Sequence, residues 1–478
     1  MAVTMVRADL GQAARLRSVL PDRSDVPRWI CVVAVLAAAG TIWVFLMLAA
    51  AAGTVRTGFD TIGQRTAPQV AATEDLYYAL ADMDAQLANI VLAGNDPAFA
   101  KTRDDALTDY EKRRLQADAD LQQATMVAGA DQSAQATIRE ILDRLGRYEA
   151  SAAETMLRVD LARDAGGTPS PEVLASYRAA TDLMRPTLES AHQLTGTNGA
   201  ALERAYQDTE YTADSTRIWL TVHAVLVLGA LTGLQILLRV KTHRRLNPAL
   251  VVATLVAGGL IFGGFAAMGE ASHDLRVAKE NAFDSLLALR QARAVSYDAN
   301  ADESRYLVDP DRAAGYEQAF LDKSNALADV HADRISAYPD ALDAELRAYR
   351  AKNSDTRIGG FFGTELHNVT FAGEGAAAAQ ALTAFQQYQQ DDQVIRRLAQ
   401  TDRRAAITMT TGTSNEDFRR YDDALSAVID INQRAFDSAI SAGLNETGGW
   451  SGLLPYGGAV IVVVLIGAGI RPRLAEYR

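Results

Sequence analysis

Few side chains in this sequence have the types and spacing that catalysis or metal binding requires. Its six histidines include no pair at metal-ligand spacing, and the single cysteine, Cys31, offers no thiolate cluster. The sequence contains no glycine-rich phosphate loop, no Gly-x-Ser-x-Gly elbow and no kinase or nucleotidyl cyclase signature. We therefore predict that the protein is not an enzyme and that it uses no metal or cofactor.

The most unusual side chains lie in a glycine-bracketed aromatic segment, residues 359–375. Exposed aromatic side chains are unfavourable unless another surface covers them. Two interpretations stay open: a β-hairpin-like insertion folded against its own domain, and a docking surface for an extracytoplasmic partner. The candidate residues of that interface are Phe361, Phe362, Glu365, Phe371 and Glu374.

Basic residues in a short turn and in the C-terminal tail form a second candidate interface. An acidic cytoplasmic partner would bind such a surface, but a topology signal or a contact with anionic lipids has the same composition. The sequence alone does not separate these alternatives. The residues concerned are Lys241, Arg244, Arg245, Arg471 and Arg473.

Four apolar stretches must position these groups. Each lacks Asp, Glu, Lys and Arg over a length that crosses a hydrocarbon core of about 30 Å. We predict four transmembrane helices, the first an uncleaved anchor because its apolar core is longer than that of a signal peptide. Recurrent glycines permit close helix contacts, within one chain or in a homodimer. The stretches are residues 30–52, 218–238, 249–268 and 452–470.

The charge distribution predicts which segments face the cytoplasm. The N-terminal segment, the basic turn and the tail together hold 12 Lys or Arg and 4 Asp or Glu. By the positive-inside rule this side is cytoplasmic, so both termini lie inside a bacterial cell membrane. The excess of acidic residues then falls on the two outer segments, which disfavours nucleic-acid binding.

The two outer segments, residues 53–217 and 269–451, have the composition and periodicity of helices. The apolar residues from Leu76 to Ile90 recur at steps of three and four, as in a helix packed in a bundle. Breaks at residues 94–97, 128–131 and 166–171 divide the first segment into four helices, and Asp96 and Ser170 are expected to cap two of them.

The second outer segment repeats the first, with Asp309-Pro310 matching Asp96-Pro97 and a growing offset that indicates an insertion near residues 359–375. The predicted fold is an all-α membrane protein with four transmembrane helices and two tandem extracytoplasmic four-helix bundles, the second with a small β-hairpin-like insertion. The predicted parts are a cytoplasmic N-terminal segment (1–29), transmembrane helix 1 (30–52), bundle 1 (53–217), transmembrane helix 2 (218–238), a cytoplasmic turn (239–248), transmembrane helix 3 (249–268), bundle 2 (269–451), transmembrane helix 4 (452–470) and a cytoplasmic tail (471–478).

This layout resembles the actinobacterial transmembrane proteins called GlnX, which have four crossings and two tandem extracytoplasmic helical bundles. The Asp-Pro breaks, the insertion from Gly363 to Glu374 and the short basic turn carry the resemblance. It implies a relay in which an extracytoplasmic solute-binding lipoprotein of the glutamine or glutamate type docks outside and a cytoplasmic Ser/Thr protein kinase responds inside.

Three functional hypotheses follow. The first is the signal relay, in which docking outside displaces continuous helices and so moves the basic turn and tail. The second is direct sensing of a small molecule, as in chemoreceptors, which requires a buried polar pocket near the Asp96 or Asp309 end of a bundle. The third is an envelope scaffold that transmits no signal.

Overall fold

The computed structural model describes residues 26–129, 131–162, 169–242, 247–351 and 357–475. Nearly all of them are helical, and no strand occurs in these ranges; the only β-type contact there is a single bridge between Asp329 and Gly359. Four continuous helices are long and apolar enough to cross a membrane, which confirms the predicted all-α membrane fold. These helices are Val26–Ala93, Pro171–Val240, Pro248–Val308 and Arg403–Ala475.

The helices are numbered here in chain order. The first half of the chain contributes α1 Val26–Thr61, α2 Ala67–Ala93, α3 Ala100–Ala128, α4 Gln132–Leu161 and α5 Pro171–Thr242. The second half contributes α6 Pro248–Arg276, α7 Asp284–Val308, α8 Ala313–Leu327, α9 Tyr338–Ala351, α10 Gly360–His367, α11 Glu374–Thr401, α12 Arg403–Met409, α13 Asn415–Gly448 and α14 Leu453–Ala475. Short π-helical segments join α1 to α2, α6 to α7 and α12 to α13.

The chain forms two compact units. The first comprises Met1–Asp60, Gln207–Leu275 and Ser441–Arg478 and contains the most apolar parts of the long helices. Glycines allow close packing inside this unit: a Cβ atom at Gly264 would lie 2.5 Å from the Leu48 side chain, and one at Gly458 would clash with Leu260. Large apolar side chains such as Trp43 and Phe262 are exposed on its outside, as expected for a surface that faces lipid.

The second compact unit comprises Thr61–Tyr206 and Arg276–Ile440, and so includes residues of both outer segments. One apolar core runs through it: Leu307, Val308 and Ile395 from the second segment pack with the first segment's Leu80 and Tyr177. The sequence left open whether the two segments pack on each other. In this structure they share a core.

Local sequence explains where the helices of the first segment begin and end. The Asp96 carboxylate accepts a hydrogen bond from the Ala98 N–H at 2.9 Å, and Asp131 accepts one from the Ser133 N–H at 2.9 Å, so both residues act as N-caps. Gly94 ends α2 with a φ of 54°, a backbone conformation that favours glycine. These boundaries lie at the predicted breaks.

The glycine-bracketed segment differs from its prediction. Instead of a β-hairpin, residues Gly360–His367 form the helix α10, followed by a turn that leads into α11. The glycines serve other purposes than a hairpin turn: Gly360 and Gly373 have φ values of 69° and 86°, and a Cβ at Gly363 would clash with the Ile358 carbonyl. The alternation of glycine and aromatic residues therefore reflects close packing and not a strand pair.

Candidate functional site

The centre of the second unit is a buried ionic cluster around Arg305. This guanidinium, on α7, donates hydrogen bonds to Asp298 and Asp302 of its own helix at 3.1 and 2.5 Å, and it forms an ion pair with Asp84 of α2 at 2.5 Å. Asp302 and Asp298 precede Arg305 by three and seven residues, so one helix face carries all three groups. The pair with Asp84 joins the two outer segments.

Helix α8 adds a second cation to this cluster. The Lys323 ammonium lies 2.6 Å from Asp298 and 2.5 Å from Asp302. The Thr181 hydroxyl of α5 donates to Asp84 at 3.3 Å. Four helices thus meet at two cations and three carboxylates.

The charges in the cluster control each other's ionisation. Burial alone would raise the pKa of the Asp298 carboxyl, but the Lys323 ammonium and the Arg305 guanidinium outweigh it and hold that pKa below its usual value. Burial likewise opposes the charge on Arg305, yet Asp84 and Asp302 raise its pKa well above the usual value. The Asp298 carboxylate and the Arg305 guanidinium therefore stay ionised although they are buried.

A cavity of about 960 Å³ lies beside this cluster. Helices of both outer segments form its wall, and charged, polar and aromatic side chains alternate around it. Its volume lies in the range of sites for small molecules. The lining residues are Glu74 and Tyr77 of α2; Thr181, Asp182, Arg185, Leu188, Glu189 and His192 of α5; Gln291, Ala294, Val295, Asp298, Asp302 and Arg305 of α7; Asp311 and Arg312 before α8; Gly315, Tyr316, Ala319 and Lys323 of α8; and Phe361 of α10.

One end of the cavity is closed by ion pairs near Asp309. Arg312 pairs with Asp182 at 2.8 Å, and the Arg178 Nε donates to the buried Asp309 carboxylate at 2.7 Å while also contacting Asp311. Asp309 therefore holds an arginine of α5 and does not cap the following turn as Asp96 does. The direct-sensing hypothesis required a polar pocket near the Asp96 or Asp309 end, and this cavity lies next to Asp309.

The other end of the cavity contains a buried carboxyl group on α2. Glu74 is 3 % exposed and accepts a hydrogen bond from the Gln291 side-chain amide at 3.2 Å. Burial raises the pKa of Glu74 to about 7, although hydrogen bonds from Gln291 and Thr195 oppose this rise. The Tyr77 and His192 rings lie nearby with their centroids 6.4 Å apart.

The five residues predicted as an extracytoplasmic partner interface do not form one exposed surface. Phe362, Glu365 and Glu374 are buried, whereas Phe361 and Phe371 are partly exposed, and Phe361 lines the cavity. In this conformation a partner would reach only those two phenylalanines. The prediction of a docking surface stays untested.

Two of the buried residues of that set form a carboxyl pair. Burial and the neighbouring Glu374 carboxyl raise the pKa of Glu365 to about 8, partly offset by the Ser285 and Asn432 side chains. The Glu374 carboxylate accepts hydrogen bonds from the N–H groups of Thr370 and Phe371 at 2.6 and 2.8 Å. A proton on Glu365 therefore allows both groups to be buried together.

The predicted cytoplasmic interface is only partly described. Arg244 and Arg245 lie outside the described residues. Of Lys241 the structure describes the backbone, which belongs to α5. Arg471 is exposed on α14, and Arg473, two residues later, is half-buried. Their role as an interface stays a prediction.

Sequence reasoning did not find the cavity or the cluster. The signal that was available is the placement of charged residues on apolar helix faces: Asp298, Asp302 and Arg305 follow a helical spacing, as do Arg185, Glu189 and His192. Such patterns usually mark a solvated face. Only the packing of α7 against α2 and α8 shows that the first set is buried.

Removal of the Arg305 charge should destabilise the second unit strongly. Arg305→Met leaves three buried carboxylates with one cation, and breaking a buried ion pair in this way costs about 3–5 kcal/mol. The matched control is Arg147→Met, which removes an exposed pair with Asp143 and should cost less than about 1 kcal/mol. Thermal unfolding of the full chain in detergent micelles measures both; equal unfolding midpoints for the two variants would show that the cluster contributes little.

The Glu365 carboxyl should make stability depend on pH. Its folded-state pKa is raised, so the folded state binds the proton more tightly, and stability falls as pH rises from about 4.5 to about 8. Glu365→Gln keeps the shape without the charge. At pH 8 its unfolding midpoint should exceed that of the wild type by about 3 °C or more, and at pH 5 the two should nearly coincide. A constant difference at both pH values would contradict the assignment.

Comparison with known proteins agrees with a sensory role for this part of the chain. Residues 58–207 match the family model of an actinobacterial sensor domain. The matched range contains α2 to α4 and the part of α5 that lines the cavity. No curated protein and no solved structure matches the chain. The chain is thus an all-α membrane protein in which residues 58–207 are similar to an actinobacterial sensor domain.

Proposed function

We propose that this protein is a transmembrane sensor that binds a small molecule directly in the cavity of its second unit. The observation that carries the proposal is the cavity of about 960 Å³, which is lined by charged and aromatic side chains from both outer segments. Its lining runs from the buried Glu74 to Asp311, whose side chain is 79 % exposed, so the cavity is open to solvent and accessible to a small molecule. The match of residues 58–207 to a sensor domain supports the same role.

The arrangement of the helices suggests how binding is transmitted. The cavity is lined by α2, α5 and α7, and each of these belongs to one of the four long apolar helices. A ligand that fits one arrangement of these helices better than another shifts their equilibrium, with a typical coupling of about 1–3 kcal/mol. The protein then needs no catalytic activity of its own, consistent with the proposal that it is not an enzyme.

A bulky side chain in the cavity should abolish ligand binding. Gly315 of α8 lines the cavity, and a Cβ added there meets no atom within 4 Å, so Gly315→Trp should fill the space without disturbing the fold. A panel of amino acids, amines, carboxylates, sugars and nucleosides is screened by thermal shift on the full chain in nanodiscs. A compound that stabilises the wild type should leave Gly315→Trp unchanged.

The matched control for this experiment is Gly146→Trp. Gly146 is also a helical glycine with open space around it, but it lies on α4 and does not line the cavity. This variant should respond to the compound as the wild type does. Equal responses of all three proteins would place the binding site elsewhere and refute the proposal, as would a panel in which nothing binds.

The resemblance to GlnX proteins suggests a second function, a relay between an extracytoplasmic amino-acid-binding lipoprotein and a cytoplasmic Ser/Thr kinase. Its orientation rests on the charge distribution, from which we predict that both termini lie in the cytoplasm. A partner that reaches Phe361 would contact the cavity wall, so docking and direct binding are compatible. The relay predicts partners that the cavity alone does not require.

Crosslinking in native membranes, followed by purification of the tagged full-length protein and mass spectrometry, tests the relay. A solute-binding lipoprotein and a kinase should be recovered, and Phe361→Ser with Phe371→Ser should reduce recovery of the lipoprotein only. The predicted orientation has a separate test in a Cys31→Ala background. In intact cells an impermeant thiol reagent should label Ala153→Cys, which is predicted to lie outside, and not Ala475→Cys, which is predicted to lie inside. Recovery of neither partner would leave direct sensing as the function.

A further inference from the structure

The charged groups around the cavity are largely paired within the chain, and the few that are not define what a ligand must supply. Arg305 and Lys323 bind Asp298 and Asp302, and Arg312 binds Asp182. Because these residues neutralise one another, they need little charge from a ligand. Among the lining residues in the described part of the chain, those with no ion pair are Glu74, Glu189 and Arg185.

Of these groups, Glu74 has the most specific environment. It is 3 % exposed, and its hydrogen-bond partners are two uncharged side chains, those of Gln291 and Thr195. An isolated buried carboxylate costs free energy unless a cation or further donors satisfy it. Neither Gln291 nor Thr195 supplies the positive charge that a buried carboxylate needs.

The surroundings of Glu74 select the kind of donor. The Tyr77 ring lies on the same helix one turn later, and Tyr316 and Phe361 supply further aromatic surface around the cavity. Aromatic faces attract organic cations and also cover the apolar body of a ligand. Glu189 of α5 adds a second acidic group to the wall, whereas Arg185 is the only unpaired cation among the described lining residues.

We propose that the cavity binds a small organic molecule that carries an ammonium group, and that Glu74 holds this group while Glu189 adds negative charge to the cavity wall. An ammonium donates up to three hydrogen bonds and brings the charge that the Glu74 carboxylate lacks. This inference rests on the proposed function, since it names the ligand class of the same cavity. Burial raises the pKa of Glu74 to about 7, and a bound ammonium would restore its ionised form.

Two probes of equal length and opposite charge test the proposal. Isothermal titration of the full chain in nanodiscs is carried out with 1,5-diaminopentane and with glutarate. The diamine should bind and glutarate should not. Glu74→Gln keeps the shape of the side chain and its contact distance to Gln291. It should weaken diamine binding by about tenfold or more, since a charge-assisted hydrogen bond is lost.

Controls separate this site from general attraction to an acidic protein. Glu189→Gln alters an exposed residue that does not threaten folding, and it should also weaken diamine binding. Glu154→Gln removes an exposed carboxylate outside the cavity, paired with Arg158, and should leave the affinity unchanged. Equal loss in all three variants would indicate binding by net charge alone and overturn the proposal.

Other outcomes would also overturn it: binding of glutarate but not of the diamine, no binding of the diamine at millimolar concentration, or an unchanged affinity in Glu74→Gln. These results leave the sensor proposal standing if a compound without an ammonium group stabilises the wild type and not Gly315→Trp. If no compound distinguishes Gly315→Trp from Gly146→Trp, the sensor proposal and the ligand class fail together.

Discussion

The second unit depends on one buried guanidinium. Arg305 binds Asp84 from the first outer segment and Asp298 and Asp302 from the second, so a single side chain holds α2 against α7. Ion pairs of this kind gain little net stability, because desolvation offsets most of the attraction, but they tolerate only one arrangement of the helices that carry them. The apolar core supplies the favourable burial, and the charges determine which faces of α2, α7 and α8 meet.

The cavity follows from the same constraint. Lys323 must reach Asp298 and Asp302 from α8, and Arg312 must reach Asp182 on α5. These pairs fix α8 against α7 and the turn before α8 against α5, and the cavity lies among these helices. Because α2, α5 and α7 each belong to a long apolar helix, a change in their packing can be transmitted along each of these three. The π-helical segments at Ile62–Thr66 and Val277–Phe283 interrupt two of these helices, and such bulges are frequent at functional sites.

The sequence predicted the features that depend on neighbouring residues. Uncharged stretches revealed the long apolar helices, and Asp96 showed where a helix begins because capping acts over two or three residues. The features that depend on distant residues could not be predicted. Asp84 and Arg305 are 221 residues apart, and nothing in their local sequence indicates burial. The segment from Gly359 was predicted as a hairpin because its glycines resemble turn residues, yet they allow close packing around a short helix.

Hydrogen–deuterium exchange of the full chain in nanodiscs tests the central claim, that both outer segments together form the sensing cavity. Exchange is compared with and without the compound that gives the largest thermal shift. The account predicts that peptides of α5 near His192 and peptides of α7 and α8 near Gln291 and Lys323 gain protection together, and that Gly315→Trp abolishes both changes. Protection confined to one outer segment, or binding that protects neither, would contradict it.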